Sequence, residues 1–377
     1  MSSQLAWPEP VTREEHAFTP RQRDDPVVAA PPAASPAEVL GLDDDSGGLL
    51  PMQHPAWVIS CATTFVSPTR LELIAVPAEG THRALAPLWR AEGLVPRLHL
   101  LGHAETGEPS DLLWADESAL QSLAERLAHQ PLGLLLQRVP ADSPSIAALR
   151  RAWRGRGLLR VREVIGTPTL ALDPSWVLAH DKFNARRRSD FRRAERHADK
   201  LGGLSFEIHD RVSEQQLDRL LDEAYAVEAR SWKADSGQAL LHDPARGAFF
   251  RRYAHTAMRA GLLRLALMRV GGVAVAMQIA VVWQERFWLL KIGYDPAYAK
   301  CSPGQLLMLH TVQHAAQQGL KSYEFLGNPA PWTEAWTRTL RPCVRVVAYP
   351  FSVPGLLGLA DDALKAVRQR LQRWRSA

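Results

Sequence analysis

The chain has 377 residues, 46 % of them hydrophobic and 23 % charged, which excludes a fibrous or wholly disordered protein and is enough for two globular domains. A formal charge of +5 suits anionic partners without selecting one. The three cysteines have neither metal-ligand nor disulfide spacing, no apolar run reaches about 18 residues, and the start lacks signal-peptide order. We therefore expect a soluble, cytoplasmic protein.

The first 172 residues divide into a tail and a domain. Residues 1–50 are rich in Pro, Ala and Asp and lack apolar periodicity, which predicts a disordered tail. Residues 51–172 predict an N-terminal domain of short strands and two helices. The predicted elements are strands at Leu71–Val76, Ala84–Trp89, Arg97–Leu101, Leu132–Gln137 and Leu158–Val164, and helices at Glu117–Ala128 and Ser145–Arg154.

A basic helix is predicted next, from Lys182 to Leu201, with six arginines and two phenylalanines. Its arginines could follow the phosphates of RNA or of a charged cofactor. We favour the plainer interpretation, in which it is a solvated linker helix that docks through its few apolar residues.

Residues 173–353 predict a second domain with a clearer order of elements. Two helices precede a three-strand meander whose first turn is Gly271-Gly272, and a helical crossover then leads to a further strand. The predicted elements are Leu204–His209, Ser213–Ser231, Pro244–Ala260, Leu262–Val270, Val273–Trp283, Arg286–Tyr294, Gln305–Gln318, Lys321–Leu326, Trp332–Thr339 and Val344–Tyr349. Residues 354–377 predict a basic amphipathic helix that docks on its own domain or, as an alternative, lies on an anionic membrane.

The start of the crossover helix is the clearest candidate for ligand binding. Ser302 can cap the helix, Pro303 suits its first position, and Gly304 permits close approach to the backbone. Unpaired amides at the positive end of a helix dipole favour an anion such as a pyrophosphate.

Four motifs in this half carry a family resemblance. They are Glu228 to Lys233, Trp288 to Pro296, Ser302-Pro303-Gly304 with its helix, and Tyr323 to Gly327. In this order they resemble the CelD-like or BioF2-like acetyltransferases of the bacterial type, a branch of the GNAT superfamily that is similar to the Fem peptidyltransferases. The resemblance implies an α/β (mixed α+β) fold of two tandem GNAT-like units, each with a mixed, mostly antiparallel sheet flanked by helices.

The resemblance also implies an acyltransferase that moves an acetyl or longer acyl group from acyl-CoA to an amine or hydroxyl. In that fold two strands part to admit the acyl-CoA, and its pyrophosphate lies on the helix start. By analogy Ser302, Gly304, Gln305 and Leu306 would bind the pyrophosphate. We expect acetyl-CoA or a longer acyl-CoA as co-substrate and no metal.

Acyl transfer needs a base, an oxyanion donor and a proton for the thiolate, which gives four catalytic candidates. Glu228 lies on the apolar face of its helix and could be the base, or be held by Lys233. Lys291 interrupts its strand on the face of Phe287, where it could stabilise the oxyanion or extend to the surface. Tyr294 could protonate the thiolate or only pack, and Glu324 could line the cleft or form an ion pair in the sheet.

The sequence departs from the resemblance after Gly327. Relatives commonly have a Tyr-Lys pair there, whereas this chain runs from Asn328 to Trp336 without a lysine. The missing lysine predicts a neutral or cationic acceptor, or a loss of turnover. We expect a small-molecule or glycan acceptor. Two alternative functions stay open: a non-catalytic envelope scaffold, and Fem-like transfer from aminoacyl-tRNA that is bound through Arg186 to Arg188.

Overall fold

The computed structural model describes residues 40–42, 48–77, 79–93, 95–231 and 239–375. Most of the predicted tail, residues 1–50, and the predicted motif pair Trp232-Lys233 lie outside these residues. Contacts divide the described chain into two compact units. Unit A holds the described residues within 168–247 and 261–340, and unit B holds those within 36–167, 248–260 and 341–377.

The described residues form ten α-helices and twelve strands. The helices are α1 (Pro55–Phe65), α2 (His103–Thr106), α3 (Glu117–Ala128), α4 (Pro144–Ala152), α5 (Ala185–Lys200), α6 (Glu214–Ala229), α7 (Pro244–Arg259), α8 (Pro303–Gln317), α9 (Pro331–Glu334) and α10 (Val353–Arg375). The strands are β1 (Leu71–Val76), β2 (Ala84–Ala91), β3 (Arg97–Leu100), β4 (Leu113–Trp114), β5 (Gly133–Pro140), β6 (Gly157–Ala171), β7 (Leu204–His209), β8 (Leu263–Val270), β9 (Val273–Trp283), β10 (Arg286–Tyr294), β11 (Ser322–Glu324) and β12 (Leu340–Pro350). None of the described helices has the length and hydropathy needed to cross a bilayer.

Unit A is built on a mixed sheet in which only β10 and β11 are parallel. Strands β7 to β10 are antiparallel neighbours in chain order, and the last residues of β6 pair antiparallel with β11. The hairpin turns at Gly271-Gly272 and Gln284-Glu285 all have positive φ, as type I′ turns require. Helices α5 and α8 pack on one face of this sheet, and α6 packs against β9 and β10.

Unit B repeats the same arrangement of strands. β1, β2 and β3 are antiparallel neighbours, and β5 then pairs parallel to β3 after a connection that contains α3. This matches the order β8, β9, β10, α8, β11 of unit A. Its core is formed by apolar residues of the sheet together with α3 and α4. The predicted mixed α/β fold, with two tandem units whose sheets are mostly antiparallel, is confirmed.

The last strand lies in a different unit from the one that its place in the chain predicts. The predicted second domain ends at residue 353 and includes Val344–Tyr349, but β12 pairs antiparallel with β5 and belongs to unit B. Its alternating residues Val344, Val346 and Ala348 join the core of that unit. Residues 248–260 of α7 also belong to unit B, where Phe249 and Tyr253 pack edge-on against Trp57 of α1.

Candidate active site

The start of α8 offers one main-chain donor, not several. Ser302 has left-handed backbone angles and its carbonyl accepts hydrogen bonds from the amides of Gln305 (3.0 Å) and Leu306 (3.1 Å). The Ser302 amide itself donates to Ala299, and Pro303 has no N–H. Within the described residues, Gly304 is therefore the first-turn amide without a backbone partner. Of the four residues expected to bind the pyrophosphate, Ser302, Gln305 and Leu306 have amides that donate to backbone carbonyls, and Ser302 is an exposed residue.

A half-buried arginine lies at the same helix start. Arg187 of α5 donates to the side-chain oxygen of Gln305 at 2.8 Å, and its guanidinium lies 6.0 and 5.1 Å from the ring centres of Phe183 and Phe191. Burial lowers the pKa of Arg187. In the described part of the chain no carboxylate forms an ion pair with it, because nearby Asp190 pairs with Arg193.

The Gly304 amide and Arg187 make an electropositive site at the N-terminus of α8. Partial desolvation of Arg187, whose nearby acid Asp190 pairs with Arg193, makes its charge costly, and the positive end of a 15-residue helix adds to the same potential. An anion bound at this position would stabilise both the arginine charge and the helix end. The sequence indicated a basic helix here, but the triplet of arginines from Arg186 to Arg188 did not reveal which one would point toward α8.

The two parallel strands part where the resemblance predicts a gap. β10 and β11 pair only over Arg286 to Trp288 with Ser322 to Glu324, and β10 then continues to Tyr294 while β11 ends. The amide that follows, Phe325, donates instead to Pro168 at 3.0 Å.

A small apolar cavity of about 10 Å³ lies between β9, β10 and the start of α8. Its lining brings the predicted residues Tyr294 and Gly304 together. Room for roughly one water is too little for a thioester arm, so a ligand requires its walls to move. Met277 and Met308 are in the lining, and methionine side chains rearrange readily.

A bulge in β10 changes the face on which Lys291 lies. The pairing with β9 shifts between Leu289 and Lys291, so one extra residue, Leu290, interrupts the alternation. Lys291 therefore lies on the face opposite Phe287 and Leu289. The predicted shared face is wrong, because period-two alternation fails at a bulge.

Glu228 lies near the end of α6, on that same face of the sheet as Lys291. It is fully buried, and its Oε2 accepts a hydrogen bond from the amide of Leu240 at 3.0 Å. Opposite it on β10 is Gly293, where an added Cβ would lie 2.9 Å from the Cα of Glu228. The predicted alternative partner of Glu228, Lys233, lies outside the described residues.

Glu324 lies where the two strands part. Its Oε1 accepts hydrogen bonds from Arg286 (3.1 Å) and Ser322 (2.6 Å), and the carboxylate is fully buried. This is the sheet ion pair that the sequence left open as an alternative. Its Oε2 is also buried and has no hydrogen-bond partner among the described residues, so one oxygen remains able to accept a proton.

An ion pair that the sequence did not indicate joins the two sides of the site. Arg230, at the end of α6, donates to Asp295 at 2.6 Å, and Asp295 also accepts from the amide of Ala297 at 2.9 Å. Asp295 thereby fixes the end of the helix that carries Glu228 to the turn that leads into α8. Burial raises the pKa of neighbouring Tyr294, so its phenol stays protonated at neutral pH.

A larger cavity, about 350 Å³, lies in unit A beyond the end of β11. Its volume is within the range of small-molecule sites. The lining consists of Pro168, Pro329, Thr333, Glu334, Thr337, Arg338 and Leu340. Arg338 supplies a cation in this lining, and Glu334 supplies the opposite charge.

The remaining titratable candidates do not form a second centre. The described residues contain no group of three or more His, Cys, Asp or Glu side chains that could hold a metal ion. His310 stacks on Phe206, and burial lowers its pKa. The equivalent helix start in unit B, at α3, is closed by Asp116, which accepts from the amide of Ala119 at 2.8 Å and pairs with Arg83.

A known family model matches the part of the chain that contains most of unit A. Residues 185–334 match the family model described as "Acetyltransferase (GNAT) domain". This segment, most of which lies in unit A, matches a GNAT domain, and the predicted superfamily is confirmed. No curated protein matches the chain.

Two solved structures with a TM-score of 0.50 share the fold at low sequence identity, and a third is similar with a lower score. FemX has 11 % identity and a TM-score of 0.50, covering 84 % of this chain and 96 % of its own. A conserved protein of unknown function from Bacteroides thetaiotaomicron has 10 % identity and a TM-score of 0.50, covering 78 % and 89 %. The C-terminal domain (DUF2156) of a putative lysylphosphatidylglycerol synthetase from Agrobacterium fabrum has 12 % identity and a TM-score of 0.48, covering 74 % and 83 %.

Proposed function

We propose that the protein is an acyl-CoA-dependent acyltransferase whose donor site is the start of α8. One observation carries this proposal: Gly304, whose amide has no backbone partner among the described residues, and the half-buried Arg187 lie at the start of α8, and Gly304 lies against the part of β10 that continues beyond its pairing with β11. An electropositive helix end beside parted strands suits a thioester carrier that has a diphosphate. Arg187, Gly304 and the Ser302 hydroxyl would bind the diphosphate, and Gln305 would orient Arg187.

Each of the four candidate side chains has a separate role in the proposed chemistry. The co-substrate supplies an acyl thioester. Glu228 accepts the proton of the attacking amine or hydroxyl, and Lys291, on the same face, stabilises the negative charge that develops on the carbonyl oxygen. As the carbon–sulfur bond breaks, Tyr294 gives its proton to the sulfur. Glu324, with one unpaired oxygen, is the second carboxylate able to take the acceptor's proton.

The cavity near Pro168 is the proposed acceptor site. The carbonyl of Pro168 accepts from the residue that follows Glu324, which relates this cavity to the end of β11. Its opposite charges at Glu334 and Arg338 suit a small polar molecule or glycan with both an amine and an acidic group. This proposal departs from the neutral or cationic acceptor predicted from the missing lysine, because Arg338 provides a cation for an acidic group. We place the reaction in the cytoplasm.

The test measures binding and turnover separately. Calorimetry with CoA and with acetyl-, octanoyl- and palmitoyl-CoA reports donor affinity, and thiol release with pooled amines, amino acids and sugars reports transfer. We expect Arg187→Met to weaken CoA binding at least tenfold, since hydrogen bonds to charged groups contribute roughly 1.5–3 kcal/mol. Arg192→Met, an exposed arginine of the same helix, is the matched control. CoA binding that is absent, or equal in both variants, refutes the donor site.

Fem-like transfer from aminoacyl-tRNA is the second candidate. It is favoured by the fold shared with FemX and by the exposed arginines Arg186, Arg192 and Arg196 on α5. In that case RNA affinity falls steeply with salt, and Arg192→Met weakens it together with Arg186→Met. If neither CoA nor aminoacyl-tRNA binds and no thiol is released, the scaffold interpretation is supported instead.

A further inference from the structure

The described contacts that attach the C-terminal helix α10 to unit B lie at the beginning of the helix. Arg97 donates to the carbonyl of Gly358 at 2.6 Å and to Asp362 at 2.7 Å, and Gly358 is buried. From Ala363 to Gln372, and again at Trp374, every side chain is exposed. About three turns of helix thus expose their described side chains to solvent, although helices in proteins are stabilised mainly by packing.

The exposed part of α10 has an apolar stripe. Leu357, Leu364, Val367, Leu371 and Trp374 follow one another at intervals of seven, three, four and three residues, which places them on one face. Each is between 52 % and 76 % exposed. The sequence favoured docking of this helix on its own domain, and the structure shows such docking for the beginning of the helix, through Arg97 and Leu359, but exposes the stripe.

The charge on the same segment has a single sign. Residues 363–375 contain no Asp or Glu and five basic residues, Lys365, Arg368, Arg370, Arg373 and Arg375. The two acids that precede them, Asp361 and Asp362, are paired with Lys365 and Arg97.

We propose that α10 is an in-plane anchor for the surface of an anionic lipid bilayer. An apolar stripe next to cationic side chains matches acyl chains below acidic headgroups, and a tryptophan at the end of the stripe suits the interface. A second copy of the chain fits less well. Packing two stripes together would bring Arg368 and Arg370 of each copy near the same residues of the other, with no acid in the segment to offset them.

Vesicle sedimentation of the full chain tests the anchor. With vesicles of phosphatidylcholine and phosphatidylglycerol (about three to one) we expect the protein to pellet, and with phosphatidylcholine alone to remain in solution. Raising the salt should release it. Arg368→Gln with Arg370→Gln should weaken binding about tenfold or more, at roughly 1 kcal/mol for each basic residue.

Matched controls distinguish binding through α10 from non-specific electrostatic or hydrophobic binding to vesicles. Arg150→Gln with Arg154→Gln removes the same charge from exposed positions of unit B, and should leave binding unchanged. Leu364→Ser with Leu371→Ser should abolish pelleting, whereas Ile165→Ser, at an apolar side chain 59 % exposed, should not.

Two outcomes overturn the inference. One is a chain that stays in solution with both kinds of vesicle, or binds equally after the two leucines are replaced. The other is a dimer by light scattering that Leu364→Ser with Leu371→Ser converts to a monomer, without any vesicle binding, which would assign the stripe to a second copy. Neither outcome depends on CoA binding, so the donor site is tested independently.

Discussion

Gly293→Ala tests whether the two sides of the proposed site are as close as the structure places them. The new Cβ would meet Glu228 at its Cα (2.9 Å), Cβ (3.2 Å) and Cγ (3.3 Å). The first of these is a backbone atom that cannot rotate away. Gly293 does not have a positive φ, so alanine adopts its backbone angles and the effect is purely steric.

The size of the effect follows from these distances. Ordinary contact begins at 3.4 Å, so α6 and β10 must separate by at least 0.5 Å along the contact that is now 2.9 Å. Overpacking of this kind costs about 1–3 kcal/mol in the free energy of unfolding. For a unit of this size, each kcal/mol lowers the melting temperature by about 2–4 °C. A shift of half an ångström at Glu228 should also reduce turnover roughly tenfold, since 1 Å can cost a hundredfold.

Urea unfolding and thiol release measure the two consequences. Gly358→Ala is the control, because its Cβ would meet only side-chain atoms, the nearest being the end of Arg97 at 3.4 Å. We expect that variant to unfold within about 0.5 kcal/mol of the parent or to be slightly more stable, as glycine is a poor helix former. If Gly293→Ala unfolds at the parent's urea concentration and keeps full turnover, α6 does not pack on β10 as described.

Three further predictions concern single polar groups. Glu228→Gln should lower turnover about a hundredfold with CoA affinity unchanged. The control Glu223→Gln, on the same helix but at a carboxylate paired with Arg269, should leave turnover unchanged. If Glu228→Gln lowers turnover less than threefold, Glu228 is not the general base. Tyr323→Phe removes a hydroxyl that contacts Thr311 (3.1 Å) and Gln278 (3.3 Å), and should lower the free energy of unfolding by about 1 kcal/mol. Tyr253→Phe removes a buried hydroxyl without a partner among the described residues, and should leave the free energy of unfolding unchanged or raise it. Equal losses in the two variants would contradict this prediction. Because burial raises the pKa of Tyr323 above that of an unfolded tyrosine, stability should hold below about pH 10 and fall as the pH rises beyond it, and Tyr323→Phe should reduce that fall in a urea titration between pH 7 and 11.

Local signals in the sequence were sufficient for much of unit A. The glycine pair at Gly271-Gly272 and the alternation along β8 to β10 predict the meander, and Ser302-Pro303-Gly304 predicts where α8 begins. These features depend on residues close together in the chain, so propensity and turn chemistry determine them.

Features that depend on distant contacts could not be predicted. The bulge at Leu290 leaves no mark in a continuous apolar run, so the face of Lys291 was assigned wrongly. The contact of Arg187 with Gln305 joins residues 118 positions apart, and nothing in the basic helix distinguishes it from its neighbours. Helix α1 was missed because it is apolar on most of its circumference: Trp57, Val58 and Cys61 are all buried. Such a helix has no amphipathic period in its sequence.

The placement of β12 in unit B has a consequence for how the protein is made. Unit B draws on residues 36–167, then 248–260, then 341 onward, while the described residues of the GNAT unit are complete by residue 340. During synthesis on the ribosome, unit A can therefore fold first, although unit B begins earlier in the chain. Unit B can complete its sheet only after β12 has been synthesised. A gene cut at residue 172 would release a fragment with an open sheet edge beside β5, so the two halves should be produced as one polypeptide.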